Sequence, residues 1–392
     1  MARKSTLAAP SPSLLFIAHF ADLKDPRRHH HKIHYPLPLI VLIVFASVLS
    51  GFTGWEAFEQ FGEARREWLR GLIPFDGNDT PAADTIREVF ERLNAEAFAR
   101  CFTRWAAALA DHVAGRQIAL DGKSLQGARD PAHPTVPLHL LHAWLVDQHL
   151  LLAAVPVDGA SGEPVAIPDV LATLELQGAI VTADANGCTR DVTDAITAGG
   201  GDYAVCLKAN RGAVHAAVNA FFAPRTATLG TAGFEPIDAV THTYTAERGH
   251  GRTEFRQAWA IAAARIPAVT AYLPHARSVL CIERSRRAGD AWSYETHYYL
   301  SSRPSQASQL TAVVRRHWSV ENDLHRTLDV VLHEDATPIR KGPGALNLAL
   351  VRRHAEAALR RDTTLVGSLP KRVRQAALDD DYRTHLLSLA VS

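Results

Sequence analysis

The chain has 392 residues, of which 47% are hydrophobic and 21% are charged, and its formal net charge is +1. This apolar content is that of an ordinary globular protein with a sizeable core, and the length has room for two domains or for one large domain with an insertion. The balanced charge neither indicates nor excludes nucleic acid as a partner. The four dispersed cysteines form no CxxC pair, which argues against a zinc knuckle and fits a reducing compartment.

The N-terminal region is predicted to be helical. Residues 1–16 are rich in Ser, Pro and Ala and are expected to be disordered, whereas residues 17–114 carry apolar side chains at helical spacing. Within this region, residues 36–54 carry no charge and are long enough to be considered as a membrane span. Prolines at the start of this stretch and glycines at its end favour a buried helix instead.

The pattern changes at Gly115, where strands begin to alternate with helices. Three short apolar runs, QIALD, LHLLHAWLVD and LLLAAVPVD, predict adjacent antiparallel strands. The segments that follow alternate helix and strand, which predicts a mixed sheet flanked by helices over residues 115–362. Within this α/β domain, strand-like runs at about residues 224–302 predict a β-rich insertion. Residues 363–392 are expected to form a C-terminal tail.

Three carboxylates stand out from the apolar segments around them. Asp121 follows the run QIAL and Asp184 follows AIVTA, so both are expected at strand ends on one edge of the sheet. In RRHWSVENDLHRTLDVVL, helical spacing places Glu321 in the middle of an apolar face. Because Mg²⁺ prefers carboxylate oxygens, the three side chains predict a site for divalent metal.

Other interpretations of these acidic residues remain open. An aspartate at a strand end is often only a turn former or a cap. Three acidic residues near Glu321 compete with it, and two of these are expected in a solvated loop or at a helix end: Asp329 shares the helical face, whereas Glu334 and Asp335 precede a Pro- and Gly-containing stretch.

Basic residues occur in clusters, and arginine greatly outnumbers lysine. This suits bidentate contacts with phosphate but could equally reflect a GC-rich genome. The histidine run at residues 29–34 is interpreted as part of a basic loop, because no carboxylate or cysteine completes a tetrahedral metal site there. The segment ALDGKSLQG lacks the spacing of a P-loop, so an NTPase is not supported.

Eight sequence blocks, in order from about residue 17 to residue 361, resemble the DDE transposases of the H-repeat-associated (ISAs-type) bacterial insertion sequences. One block alone is weak evidence, but eight in this order are highly specific. The blocks are DPRR…YPLPLIVLI…GF, DGKSLQGARD, EPVAIPDVL, GAIVTADANGCTRDV, GGDYAVCLKANRG, RGHGRTEFR, HWSVENDLHRTLDVVLHED and RKGPGALNLALVRRHA.

The resemblance implies a ribonuclease H-like fold with a β-rich insertion and a helical, transposase-associated N-terminal domain. It also implies a DDE triad in which Asp121, Asp184 and Glu321 are both the catalytic residues and the metal ligands. Two Mg²⁺ ions, or Mn²⁺ in their place, would serve cleavage and strand transfer. The wider family carries a Tyr-Arg-Glu-Lys signature, but here Val314, His317 and Leu328 stand at its tyrosine, arginine and lysine positions.

The implied partner is DNA, at the inverted-repeat ends of the element and in the target. We expect a homodimer in the DNA complex, in the bacterial cytoplasm at the nucleoid and without a membrane. The alternatives are a catalytically inactive or domesticated DNA-binding descendant and another ribonuclease H-like nuclease. The candidate DNA-contacting residues are Arg27, Arg28, Lys123, His250, Arg252, Arg316, His317, His325, Arg326, Arg340 and Lys341.

Overall fold

The structure, a computed structural model, describes residues 18–28, 33–109, 114–129, 136–157, 162–226, 241–249, 252–340 and 342–389. Within these residues, a nine-stranded sheet has the strand order β3-β2-β1-β4-β5-β9-β8-β7-β6. The strands are β1 (Gln117–Arg129), β2 (Pro137–Leu145), β3 (Leu150–Pro156), β4 (Ile180–Ala183), β5 (Asp202–Leu207), β6 (Thr241–Gly249), β7 (Arg252–Ala262), β8 (Ser278–Ala288) and β9 (Ala291–Ser301).

The first five strands have the ribonuclease H-like arrangement that the resemblance implied. β1, β2 and β3 form an antiparallel meander, as the three apolar runs predicted. β4 then pairs in parallel with β1, and β5 pairs in parallel with β4. Parallel neighbours need crossover connections, and helices supply them between β3 and β4 and between β4 and β5.

The β-rich segment continues this same sheet. β9 pairs antiparallel with β5 from Ala204 and Ser301 onward, and β8, β7 and β6 follow as an antiparallel meander. A short helix, Pro267–Tyr272, interrupts the strands. The segment therefore widens the central sheet instead of folding apart from it, because its last strand satisfies the free edge of β5.

The described helices of eight or more residues cover the sheet or form the N-terminal region. We number all described α-helices in chain order: α1 (Leu37–Leu49), α2 (Trp55–Ala64), α3 (Arg66–Leu72), α4 (Ala83–Arg92), α5 (Ala95–Leu109), α6 (Glu163–Leu171), α7 (Arg190–Ala198), α8 (Gly212–Thr226), α9 (Pro267–Tyr272), α10 (Ala307–His317), α11 (Arg326–Val330), α12 (Gly342–Arg361), α13 (Leu369–Leu378) and α14 (Asp380–Ser388).

Two helices that are buried nearly all round join the N-terminal helices to the sheet. Every residue of α1 except Pro38 is buried, as expected for the uncharged segment. In α12, residues 344–359 are all buried, and this helix contacts α1, α4, α5 and the edge strand β3. No helix in the described part of the chain is long and apolar enough to cross a membrane.

The expected C-terminal tail contains two packed helices, α13 and α14, within its described residues. Ser50 at the end of α1 donates a hydrogen bond to the carbonyl of Ala376 at 3.1 Å. Trp68 of α3 donates one to the hydroxyl of Thr384 at 3.0 Å. These contacts attach the C-terminal helices to the N-terminal region. The expected disorder of residues 1–16 lies outside the described residues.

Candidate active site

The two aspartates lie at a fork between neighbouring strands. β1 and the four-residue β4 pair only as far as Leu120 and Ala183, and Asp121 and Asp184 follow directly. Asp184 caps the next turn by accepting a 2.8 Å hydrogen bond from the backbone N–H of Asn186. β1 itself continues through Asp121 along β2, so the prediction that this strand ends there is wrong. The strand that ends is β4, and its departure leaves one side of Asp121 open.

Glu321 lies in a π-helix, Val320–His325, between α10 and α11. A π-helix bonds each residue to the fifth along the chain, so the α-helical spacing is interrupted there. The predicted apolar face is therefore wrong in its first half: Trp318 and Glu321 are exposed, whereas Leu324 and Leu328 are buried. The carboxylate of Glu321 consequently keeps its contact with solvent.

A buried hydrogen-bond network holds the end of α10 against the two strands that carry the aspartates. Gln117 of β1 donates to the hydroxyl of Thr182 on β4 at 3.1 Å and to the carbonyl of Val313 at 2.9 Å. The same Thr182 hydroxyl lies 3.0 Å from Nδ1 of His317, the last residue of α10. This network fixes where the π-helix begins relative to the strand ends.

His317 was a candidate DNA-contacting residue, but its protonation state and its hydrogen bond do not suit binding to a DNA phosphate. Burial lowers the pKa of its ring to about 4, so the side chain is neutral at pH 7. Its hydrogen bond to Thr182 also turns Nδ1 toward the sheet. The residue therefore positions the helix.

Arg360 of α12 supports the π-helix from the other side. Its Nη2 donates to the carbonyl of Asp323 at 2.7 Å and to the hydroxyl of Thr327 at 2.9 Å. Its Nε donates to the fully buried carboxylate of Glu356. Since a π-helix leaves carbonyls without their usual α-helical partners, these bonds stabilise the local departure from α-helix.

The acidic side chains share one electrostatic environment. Burial and, after it, the negative charges of Asp184, Glu163 and Glu321 together raise the pKa of Asp121 to about 7, against a backbone hydrogen bond from Gly122 that lowers it. Both predicted partners of Asp121 therefore act on it, together with Glu163, which the sequence analysis did not single out. Carboxylates repel one another at this range, and a cation would relieve that repulsion.

The nearby cationic side chains do not neutralise this group. Nδ1 of His325 lies 3.7 Å from Oδ2 of Asp121. Burial lowers the pKa of His325 to about 3, so the contact is not an ion pair at pH 7. Lys123 is buried and donates to Oδ2 of Asp329 at 2.9 Å. Lys123 was a candidate DNA-contacting residue, but its ammonium group is buried against Asp329. Asp329 was an alternative to Glu321 as the third carboxylate, but it is already paired with Lys123.

The other two acidic residues near Glu321 also have partners. Glu334 is fully buried and forms an ion pair with Arg353 at 2.6 Å, so its expected solvated position is wrong. Asp335 is half-buried and accepts the backbone N–H of Gln126 at 3.1 Å. Both residues therefore have structural contacts, which leaves Glu321 as the exposed carboxylate of this segment.

The residues fit a divalent metal by their chemistry, although their ligand geometry is not closed. Asp and Glu oxygens are the ligands that Mg²⁺ prefers in proteins. Among the residues that the structure describes, no group of three His, Cys, Asp or Glu side chains converges on one metal position. The electrostatic coupling of the carboxylates therefore extends over a larger distance than a coordination shell, and Glu321 is the member of the triad that is exposed to solvent.

A cavity of about 560 Å³ adjoins Glu321 on the α10 face of the widened sheet. Four arginines line it, each with a carboxylate nearby, and the exposed ring of Trp318 lies beside them. The sequence analysis missed these arginines, but the period-two alternation of Arg284 and Arg286 in the strand SVLCIERSRRA was a usable signal for two of them. The four are Arg256, Arg284, Arg286 and Arg315.

The remaining candidate DNA-contacting residues are scattered. Arg27 pairs with Asp25 at 2.6 Å and donates to the carbonyl of Tyr35, so it holds its own loop instead of remaining free. Arg316 forms an exposed ion pair with Asp147 at 3.2 Å. Three others are exposed and three lie outside the described residues or side chains: Arg28, Arg326 and Arg340 in the first group, and His250, Arg252 and Lys341 in the second.

Comparison of the sequence with known protein families identifies the family to which the chain belongs. A family model described as a transposase DDE domain matches residues 114–355, and one described as DDE_Tnp_1-associated matches residues 17–106. Together with the ribonuclease H-like sheet and the acidic residues at its β1–β4 fork, these matches define the class. The chain belongs to the DDE transposase family.

Relatives of similar length narrow the family assignment to the H repeat-associated transposases. The "H repeat-associated putative transposase YhhI" of Escherichia coli strain K12 is 30% identical over 377 residues, which cover 94% of this chain and 97% of that protein. The "Putative transposase YncI" of Escherichia coli O157:H7 is 29% identical over 379 residues, with 92% and 91% covered. A solved piggyBac transposase synaptic complex with hairpin DNA matches with a TM-score of 0.44 and 11% identity, covering 96% of this chain and 81% of that one.

Proposed function

We propose that this protein is an active transposase that cuts DNA at the ends of its own insertion sequence and joins those ends to target DNA. Asp121, Asp184 and Glu321 are its catalytic carboxylates and hold divalent metal, as two Mg²⁺ ions or Mn²⁺ in their place. The observation that supports this most directly is the raised pKa of Asp121, to which both other carboxylates contribute. Three acidic groups that repel one another around an open strand fork form a site suited to a cation.

Each carboxylate has a distinct part in this proposal. The metal, when bound, supplies activation of the attacking water or 3′-hydroxyl and stabilisation of the leaving oxygen. Asp121 holds it from strand β1, where side chains are fixed more tightly than in loops, and Asp184 holds it from the capped turn directly after β4. Glu321 approaches from the π-helix and completes the set when DNA is present. His325, neutral and packed beside Asp121, orients that carboxylate.

DNA would contact the exposed surface on the Glu321 side. The arginine-lined cavity lies directly beside Glu321, and guanidinium groups bind phosphate in a bidentate manner. Arg28, Arg326 and Arg340 are exposed and extend the proposed phosphate contacts. The recognised DNA comprises inverted-repeat ends and target, bound by a homodimer at the bacterial nucleoid.

Substitutions in the triad of Asp121, Asp184 and Glu321 test whether these carboxylates are catalytic. Asp121→Asn, Asp184→Asn and Glu321→Gln each remove a ligand charge with little change in volume, so each should lower transposition in cells by at least about 100-fold. The matched control is Glu67→Gln, an exposed carboxylate on α3, which should transpose at the wild-type frequency. Normal transposition by all three triad variants would refute the proposal, as would loss in the control alone.

A further inference from the structure

Glu163 is a fourth carboxylate of this centre and is rigidly held. It is the first residue of α6, in the crossover from β3 to β4, and its side chain is only 13% exposed. Oε1 accepts a 2.6 Å hydrogen bond from Nε2 of His139, whose Nδ1 lies 2.9 Å from the hydroxyl of Ser124. Because a carboxylate only accepts, His139 must carry its proton on Nε2 and accept from Ser124.

The carboxylate packs directly on the backbone next to Asp121. A Cβ built on Gly122 would lie 2.0 Å from Oε1 of Glu163 and 2.5 Å from Nε2 of His139, so any side chain at this position would displace both groups. The glycine in DGK thus lets the Glu163 carboxylate pack against the backbone of β1. The hydrogen bond from His139 lowers the pKa of Glu163, which keeps this buried group ionised at neutral pH.

Glu163 is also connected to Asp184 through a single residue, Asn186. Nδ2 of Asn186 donates to Oε2 of Glu163 at 3.1 Å, while the backbone N–H of Asn186 donates to Asp184 at 2.8 Å. Arg211 holds the same turn by donating to the carbonyl of Ala185 at 2.9 Å. The position of the Asp184 carboxylate therefore depends on where Glu163 holds Asn186.

We infer that Glu163 is a positioning residue of the active centre: it fixes Asp184 through Asn186 and adds a permanent negative charge beside Asp121 that strengthens divalent-metal binding. This inference rests on the proposed function, because it concerns the same metal site. Groups that orient metal ligands change metal affinity by roughly 10- to 100-fold when they are altered. Nothing in the reaction itself needs to pass through Glu163.

The test measures Mn²⁺ binding to the full-length protein without DNA, by electron paramagnetic resonance of the free ion. Glu163→Gln removes the charge and keeps the shape, so it should weaken Mn²⁺ binding about 10-fold or more. Asp169→Asn, an exposed carboxylate two turns further along α6, is the matched control and should bind Mn²⁺ as the wild type does. Wild-type affinity in folded Glu163→Gln protein would overturn the inference.

A second variant and a second readout separate positioning from folding. Asn186→Ala cuts the connection to Asp184 without changing charge, so it should also weaken Mn²⁺ binding, and unchanged affinity would overturn the inference even if Glu163→Gln fails to fold. In DNA cleavage, Glu163→Gln should need at least about 10-fold more Mg²⁺ and regain rate at saturation, whereas Asp184→Asn should not regain it. Absence of Mn²⁺ binding by the wild type would instead overturn the proposed metal chemistry.

Discussion

At the scale of single residues, a buried charge network lies behind the acidic site. Arg353 of α12 is fully buried, pairs with Glu334 and donates from Nε to Nε2 of His142 at 2.6 Å. The ring of His142 packs 5.5 Å from that of His325, which lies beside Asp121. The positive charge of Arg353 contributes to the lowered pKa of both histidines, after burial itself. Burial, reinforced by this guanidinium, therefore keeps the two histidines behind Asp121 neutral.

Breaking this ion pair is expected to be costly. Glu334→Gln leaves the Arg353 guanidinium buried without its counter-charge, so we predict that the free energy of unfolding falls by about 3 kcal/mol, measured by urea denaturation. Glu67→Gln breaks the exposed ion pair with Arg70 and should change the free energy of unfolding by less than about 0.5 kcal/mol. Equal effects of the two substitutions would show that burial does not determine the cost.

The sequence predicted the chemistry of single residues better than their surroundings. Asp121, Asp184 and Glu321 were singled out because a carboxylate beside an apolar run is conspicuous. Glu163 was missed because its segment EPVAIPDVL contains nothing unusual until the fold brings it against Gly122. Lys123 was misjudged for the same reason, since its partner Asp329 is distant in sequence and close only in the folded chain.

At the scale of elements, the π-helix decides how Glu321 is presented. If this segment were an α-helix, Glu321 would lie on the same buried, apolar face as Leu324 and Leu328. Periodicity alone could not reveal the π-helix, because the bonds that stabilise it come from Arg360, beyond an intervening loop and helix. The sequence predicted a helix at this place correctly, but not the direction in which its side chains point.

Arg360 provides a test of this element. Arg360→Lys keeps the charge but cannot bond Asp323, Thr327 and Glu356 in the same planar arrangement. We predict a loss of about 10- to 100-fold in the rate of DNA cleavage, faster hydrogen exchange at residues 320–325, and unchanged DNA affinity. Arg361→Lys, at the next position of α12, is the control and should match the wild type. Unchanged exchange in Arg360→Lys would contradict a supporting role.

At the scale of the whole molecule, one core joins the N-terminal helices to the sheet. α12 runs through this core, and α13 and α14, which lie in the segment expected to be a C-terminal tail, pack against α12. The succession of strands and helices along the chain was predictable, since short apolar runs alternate with helical segments. The extent of the sheet was not, because the pairing of β9 with β5 joins residues about 100 positions apart and leaves no local signal.

Burial of neutral histidines makes this core sensitive to acid. Burial lowers the pKa of His354 to about 3, and its ring stacks on Phe102 at 4.2 Å. The unfolded chain takes up a proton below about pH 6.5 and the folded chain does not, so stability is present above that pH and falls as pH decreases toward 3.

A pH series isolates this effect. His354→Phe keeps a ring against Phe102 and removes the titration, so the decrease in the free energy of unfolding between pH 7 and pH 5 should be smaller by about 2 kcal/mol than in the wild type. The comparison uses slopes against pH, so a constant change in stability does not affect it. An identical slope in His354→Phe would contradict neutral burial.

The central claim is that Glu321, with Asp121 and Asp184, performs metal-dependent chemistry on DNA. Its most direct test is to measure binding and strand cleavage in one sample, with DNA that carries the element ends, with and without Mg²⁺. We predict equal binding by wild type and Glu321→Gln, and nicking at the element ends only by the wild type with Mg²⁺. Cleavage by Glu321→Gln at the wild-type rate would contradict the claim, and so would salt-sensitive binding without any cleavage by the wild type.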